Sequence, residues 1–275
     1  MKILLTGYKG FIGQNMLTYL TENTDWEIDN YEWGEEYCGV MGYDWVIHLG
    51  ANSHTTEKNI DKILTQNTDF SIQLYNDCKR FGVNLQYASS ASLYGQNTVF
   101  SEDSPLDPIT PYAWSKYLFE RHTKDHVGGN IVQGFRYFNV YGDHEDHKLT
   151  QASPINQFTR QAKTDKIITL FLNSESYFRD FICVKDVCRI HVEFIKSVTE
   201  TGIWNVGTGE VHSFQDIADL ISEKYECKQK YIDMPMSLHR SYQCFTKSDN
   251  SKLEHTLGKQ KWITVEEFLK SSEGV

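Results

Sequence analysis

The sequence predicts an α/β protein: a doubly wound parallel sheet with a smaller C-terminal lobe, abbreviated between its second and third strands. Three observations point there. A glycine turn, Thr6-Gly7-Tyr8-Lys9-Gly10-Phe11-Ile12-Gly13, links a short apolar run to a segment with apolar residues at helical spacing. Short apolar runs and helical periodicity then alternate as far as Val206, the order expected of parallel strands joined by crossover helices. One of these runs ends in Ser89-Ser90, small hydroxyl residues at the strand end, where open α/β sheets bind ligands.

With 275 residues, 40% of them hydrophobic, the chain can bury a substantial core, as one large domain or as a nucleotide-binding domain with a smaller lobe. The formal net charge of -10 argues against a nucleic-acid partner and means that any phosphate must be met by deliberately placed cations. No apolar run approaches the ~18 residues of a membrane span. Met1-Lys-Ile-Leu-Leu is too short for a signal sequence, so no membrane association and a cytoplasmic address are expected. The cysteines at 38, 78, 183, 188, 227 and 244 form no C-x-x-C pair and read as reduced thiols, neither a disulfide framework nor a zinc ribbon.

The first strand is Lys2-Ile-Leu-Leu-Thr6, and the helix after the glycine turn spans Phe11 to Leu20. Gly7, Gly10 and Gly13 let the backbone of that turn approach a pyrophosphate whose charge rests on the helix N-terminus, with Phe11 and Ile12 beside it. Trp26-Glu-Ile-Asp29 is the candidate second strand, ending between Asp29 and Glu32. Asp29 is the natural partner of a ribose, whereas Lys9 offers a cation to a 2'-phosphate; the acid favours NAD, the base NADP, and NADP is expected marginally. Only fifteen residues separate Asp29 from the next strand, Trp45-Val-Ile-His-Leu49. A doubly wound fold spends about 30 residues on such a step, so the usual third strand should be lost or reduced to a fragment.

After Leu49, Gly50 and Ala51 at the strand end, a helix runs to a glycine stop at Phe81-Gly82, and Asn84 to Ala88 forms the strand that ends in Ser89-Ser90. Any single hydroxyl there serves equally as a cap. A Pro-rich loop leads to Tyr112-Ala-Trp-Ser-Lys116, where helical spacing of four puts the phenol and the ammonium on one face. A tyrosine titrates near ~10, and a neighbouring cation favours its phenolate, so the pair makes a general base. Ile131 to Phe138 is a buried strand followed by Asn139. The run Asp143-His-Glu-Asp-His-Lys148 is dense in metal-ligand types but reads as a solvated charge run at every position except Lys148, and no metal site is expected. Arg179 reads as a phosphate fork or as an ion pair with Asp180, and Arg240 carries the same ambiguity. The expected division is 1–142 with 181–206 for the dinucleotide and 143–180 with 207–275 for the substrate.

In order, T-G-x-x-G-x-x-G, S-S-A-x-x-Y-G and Y-x-x-x-K make the chain resemble the extended short-chain dehydrogenases/reductases, the Rossmann-like nucleotide-sugar epimerase and dehydratase group. Within that group it is most similar to the ADP-L-glycero-D-manno-heptose 6-epimerase subfamily. The evidence is Gly50-Ala-Asn-Ser-His-Thr-Thr-Glu57, Gly134-Phe-Arg-Tyr-Phe-Asn-Val-Tyr-Gly142 with His147-Lys148, Arg179-Asp-Phe181 and Asn205-Val-Gly-Thr-Gly209. The resemblance implies a homo-oligomeric, NAD(P)-dependent epimerase acting on a nucleotide-diphosphate sugar. Tyr112, Lys116 and Ser90 match the catalytic residues, and Lys148 matches the lysine placed across the sugar from the tyrosine. Asn139, Ser153, Arg179 and Arg240 fall where relatives hold the sugar and diphosphate. Two departures are the shortened stretch after Asp29 and Asp143-His-Glu-Asp in place of a Pro-Arg-Glu-Gly-like turn. Ala91-Ser92-Leu93 stands where a dehydratase carries an acidic pair, which speaks against dehydration. The alternatives are a UDP-sugar 4-epimerase or another nucleotide-sugar oxidoreductase and, from a different class, a non-catalytic dinucleotide sensor, which has no need of Ser90, Tyr112 and Lys116 together.

Overall fold

The structure, a computed structural model, describes residues 1–54, 57, 59–236 and 242–271. The first half alternates as the periodicity predicts: β1 (Lys2–Thr6), α1 (Phe11–Asn23), β2 (Glu27–Tyr31) and β3 (Trp45–His48). Next, α2 (Ile60–Ile63) continues through a π-helical turn, Leu64–Asp69, into α3 (Phe70–Phe81). Gly82 ends α3 at φ 70, a left-handed conformation that glycine adopts without a Cβ penalty. Then come β4 (Asn84–Ser90), α4 (Pro111–Thr123) and β5 (Val132–Tyr137). The start of α4 has Pro111 at its first position and the Thr110 hydroxyl accepting from the Ala113 amide.

Further on lie β6 (Asn139–Tyr141), α5 (Pro154–Thr164), β7 (Ile167–Phe171), β8 (Phe178–Arg179), β9 (Phe181–Cys183), α6 (Val184–Ser197) and β10 (Gly202–Val206). Six parallel strands form the main sheet in the order β10-β5-β4-β3-β1-β2. Met16 and Leu20 of α1 pack with Val184, Cys188 and Val192 of α6 in one core, and Leu74, Tyr75 and Cys78 of α3 pack with Phe119 of α4 in another. Helices therefore cover both faces, which is why β1 and β3 carry nearly unbroken apolar runs and β5 is buried along its whole length. The segment 32–44 holds neither helix nor strand, so β2 is the sheet edge and the expected third strand is absent.

β8 and β9 are two short pieces, because Asp180 turns inward between them. Its buried carboxylate accepts from Thr208 N at 2.8 Å, Thr208 Oγ1 at 2.7 Å, Gly209 N at 2.9 Å and Ser248 N at 3.0 Å. β9 pairs with β6, and β8 pairs with β11 (His212–Ser213). A second core gathers Ile155, Phe158, Ile168 and Leu170 against Ile217 and Ile221 of α7 (Phe214–Tyr225) and Leu269 of the last helix, with β12 (Lys228–Ile232) beside β7. The helix α8 (Ser251–Leu257) returns to the main sheet, where Leu253 packs with Trp204 of β10. All six cysteines are free thiols, with Cys78, Cys183 and Cys188 buried. Among the described residues no helix is long and apolar enough to cross a membrane.

Candidate active site

One cleft of about 490 Å³ opens at the carboxyl ends of the main-sheet strands. Its floor is the β1–α1 turn: Gly7, Gly10, Phe11, Ile12 and Gly13 all line it, with Leu49, Gly50 and Ala51 from the end of β3. A Cβ on Gly13 would lie 1.9 Å from the Gly7 carbonyl oxygen, and one on Gly7 would lie 2.4 Å from the Gly50 nitrogen, so this close crossing admits only glycine. Gly10 caps α1 with no side-chain hydrogen bond, which leaves the first helical amides open toward an anion. The cradle thus fits the pyrophosphate of a dinucleotide.

Asn67, brought round by the π-helical turn, fixes the opposite wall. Its amide donates to Asn52 O at 3.0 Å and to Ser115 Oγ at 3.0 Å, while its oxygen accepts from Asn52 N at 2.7 Å. From α4 the side chains of Tyr112 and Lys116 enter the cleft beside Ser89 and Tyr137. The Ser90 hydroxyl, which accepts from Ser92 N at 3.1 Å, lies beside the Tyr112 phenol. Burial raises the Tyr112 phenol, and Ser90 opposes that shift. Lys116, 5% exposed, donates to Ala88 O at 2.9 Å, and burial depresses it to about 8, with Glu120 pulling the other way. The expectation that Lys116 lowers the tyrosine is therefore not met in the free site: desolvation dominates both groups.

Lys148 lines the same cleft from a short 3-10 segment, Asp146–Gln151, its ammonium 5.5 Å from the centre of the Phe11 ring. Burial lowers Lys148 while Glu145 raises it. The reading of residues 143–147 as a solvated charge run fails at Glu145, which is 2% exposed because its carboxylate accepts from both the amide and the hydroxyl of Ser153. Ser153 also caps α5 through Asn156 N at 3.2 Å, so its hydroxyl is spent on the fold and does not line the cleft. Asn139 likewise lies outside the lining residues, its amide spanning Asp180 O and Thr246 Oγ1 at 3.3 Å each.

A second cavity of about 380 Å³ lies on the other side of the 3-10 segment, lined by Thr150, Gln157, Phe171, Tyr177, Arg179 and Tyr242 among others. Arg179 makes no ion pair with Asp180, whose carboxylate is already enclosed. Arg179 is 8% exposed, its guanidinium sits 5.3 Å from the ring centres of both Phe214 and Tyr242, and among the described residues it donates to the Phe178 and Gln243 carbonyls. A buried cation bonded to neutral acceptors presents its charge to an incoming anion. Arg240 lies outside the described residues.

The match to a family model decides the matter, since it spans residues 3–207 and so takes in the glycine turn, the Ser-rich strand end and the Tyr112 helix. The chain belongs to the NAD dependent epimerase/dehydratase family. Solved structures share the fold over nearly the whole length. One is Helicobacter pylori ADP-L-glycero-D-manno-heptose-6-epimerase, 23% identical, with a TM-score of 0.87, covering 98% of this chain and 94% of that one. Another is UDP-N-acetylglucosamine 4-epimerase from Methanobrevibacter ruminantium in complex with UDP-N-acetylmuramic acid, 22% identical, TM-score 0.86, with coverages of 98% and 97%. A third, MoeE5 in complex with UDP-glucuronic acid and NAD, is 21% identical with a TM-score of 0.84 and coverages of 98% and 97%.

Two residues expected at the cofactor of this epimerase/dehydratase are placed otherwise. Asp29 lies mid-strand opposite Leu4, its carboxylate bonded to Tyr43 Oη at 2.8 Å and Lys2 Nζ at 3.0 Å, away from the cleft. The acid at the true end of β2 is Glu32, which lines the cleft and accepts from Lys9 N at 3.0 Å. The Lys9 ammonium is bound 2.7 Å from Glu35 Oε1. Sequence reasoning missed Glu32 and Trp33; the signal was the strand end itself, since the residue that follows the last parallel pair faces the ligand.

Proposed function

We propose that the protein is an NAD-dependent nucleotide-diphosphate-sugar epimerase that works by transient oxidation to a keto sugar. The observation that carries this reading is the meeting of Tyr112 and Lys148 in one cleft, from two different elements, with the phosphate-class cation Arg179 in the adjoining cavity. A bound nicotinamide dinucleotide supplies hydride acceptance and return. Tyr112 takes the proton of the reacting hydroxyl, which Ser90 holds by its own hydroxyl. Lys116 keeps a cation beneath that proton transfer, which favours the phenolate once the site is filled. For inversion the keto sugar turns its other face to the returning hydride, which carries its oxygen away from Tyr112, and Lys148, lowered by burial, gives that oxygen a proton more readily than an exposed lysine would. Arg179 clamps the diphosphate, and its cavity takes the nucleoside.

Glu32 supports NAD over the NADP expected from Lys9. A carboxylate at the end of β2 would repel a 2'-phosphate, and the Lys9 charge is engaged by Glu35, which favours an unphosphorylated ribose. The test is incubation of the cofactor-loaded protein with ADP-heptose and a panel of UDP-, GDP- and CDP-sugars, with epimers followed by NMR. One member should epimerise, and Tyr112→Phe should keep cofactor affinity while losing turnover at least ~100-fold. Absence of any epimer from the panel, or near-normal turnover by Tyr112→Phe, sinks the assignment.

A further inference from the structure

Trp33 is 46% exposed, yet it stands on the wall of the cleft and not on open surface. It follows Glu32 directly, and its amide donates to Glu32 Oε1 at 3.2 Å. The indole meets Phe70 in a T-shaped contact, with centroids 5.7 Å apart and planes at 85°. Phe70 lines the same cleft and is itself stacked on Tyr31 at 5.3 Å and 24°, with Tyr37 edge-on at 5.6 Å. The Tyr37 hydroxyl donates to Asp77 at 2.9 Å, which ties the cluster to α3. The half-exposed indole therefore stands against a fixed aromatic support.

Glu32 and Trp33 line the cleft just after the edge strand β2, which β1 and β3 separate from β4, whose end carries Ser89 beside Tyr112 and Lys116. They also belong to, or pack against, the short segment that stands where a full helix and strand are missing. We infer that the abbreviated segment builds an aromatic platform for the purine ring of the dinucleotide, with Trp33 as its stacking surface. A half-exposed indole on a rigid support loses little freedom when a flat heterocycle covers it, and base-on-aromatic stacking is a large, orientation-tolerant contact. The inference rests on the dinucleotide reading above.

The test separates the two ends of the cofactor by calorimetry on the full chain, using NADH, ADP and reduced nicotinamide mononucleotide as probes. Trp33→Ala should weaken NADH and ADP by about tenfold or more and leave the mononucleotide unchanged. Trp33→Leu keeps apolar bulk without a stacking face and should behave like the alanine variant, while Trp33→Phe should restore most of the affinity. Equal affinity of wild type and Trp33→Leu for ADP overturns the inference alone, as does a parallel loss for the mononucleotide. Failure of the wild type to bind NADH at all overturns the dinucleotide reading and this inference with it.

Discussion

At the scale of single residues, burial sets the chemistry of the site more strongly than neighbouring charge. Lys116 has its folded pKa depressed from 10.5 to about 8. Below pH 8 both the folded and unfolded states carry the proton, so the desolvation cost is fully present; it fades as pH rises from 8 toward 10.5, where the folded state sheds the proton first. At pH 7 Lys116→Met should remove up to ~3 kcal/mol of that cost and lose about 1 kcal/mol with the bond to Ala88 O. The expected result is a protein a few degrees more heat-stable by calorimetry, with turnover reduced at least a hundredfold. A melting temperature at or below that of the wild type would show that the ammonium is not buried at a cost.

Among the elements, α4 carries the chemistry, and its position is set one turn beyond Lys116. There the buried Glu120 carboxylate receives Arg136 of β5 through Nη2 at 2.7 Å and Nε at 3.0 Å, together with the Ser89 hydroxyl. Arg136 is further held by Tyr94 Oη at 2.9 Å and by the face of that ring, 5.1 Å away. Removing one member leaves an uncompensated buried charge, so Arg136→Met should cost about 3–5 kcal/mol in urea unfolding. The double variant Arg136→Met with Glu120→Leu should recover most of that stability, because the stranded carboxylate goes too. Equal stability of single and double variants would mean that the pair is not what moors α4.

Across the whole molecule, two fully buried histidines govern behaviour in acid. His48 lies between Thr6 Oγ1 at 2.6 Å and Ser71 Oγ at 2.8 Å, and His191 lies between Tyr137 Oη and Gln86 Oε1. Burial lowers each to about 3, and Lys116 adds to the effect at His48. The unfolded chain binds protons near ~6.5 and the folded chain only near 3, so this stability is complete above 6.5 and drains away as pH falls toward 3. Each histidine should contribute a loss of about 2 kcal/mol between pH 7 and pH 5, and His191→Gln should flatten the slope by half. Denaturant titrations at the two pH values check it, and an unfolding free energy that does not change between them contradicts neutral burial.

The succession of strands along the chain, the helices between them, the glycine cradle and the Tyr112–Lys116 spacing were all determined by the sequence alone. Each is a local pattern: period, turn chemistry or a four-residue helical offset written within a few neighbours of itself. The missing third strand was legible for the same reason, since fifteen residues have a maximum reach whatever their partners. The tertiary structure decided what depends on distant pairing. Asp29 is diverted to Tyr43 and Lys2 by the register of β2 on β1, which leaves Glu32 at the ligand end, and Lys9 is met by Glu35 across the turn. Glu145 is buried because Ser153 folds back over it, and Arg179 forms no ion pair with Asp180 because Thr208, Gly209 and Ser248 converge on that carboxylate. A side chain's partner across tens of residues leaves no periodic trace, so its charge, burial and direction emerge only when the strands are laid side by side.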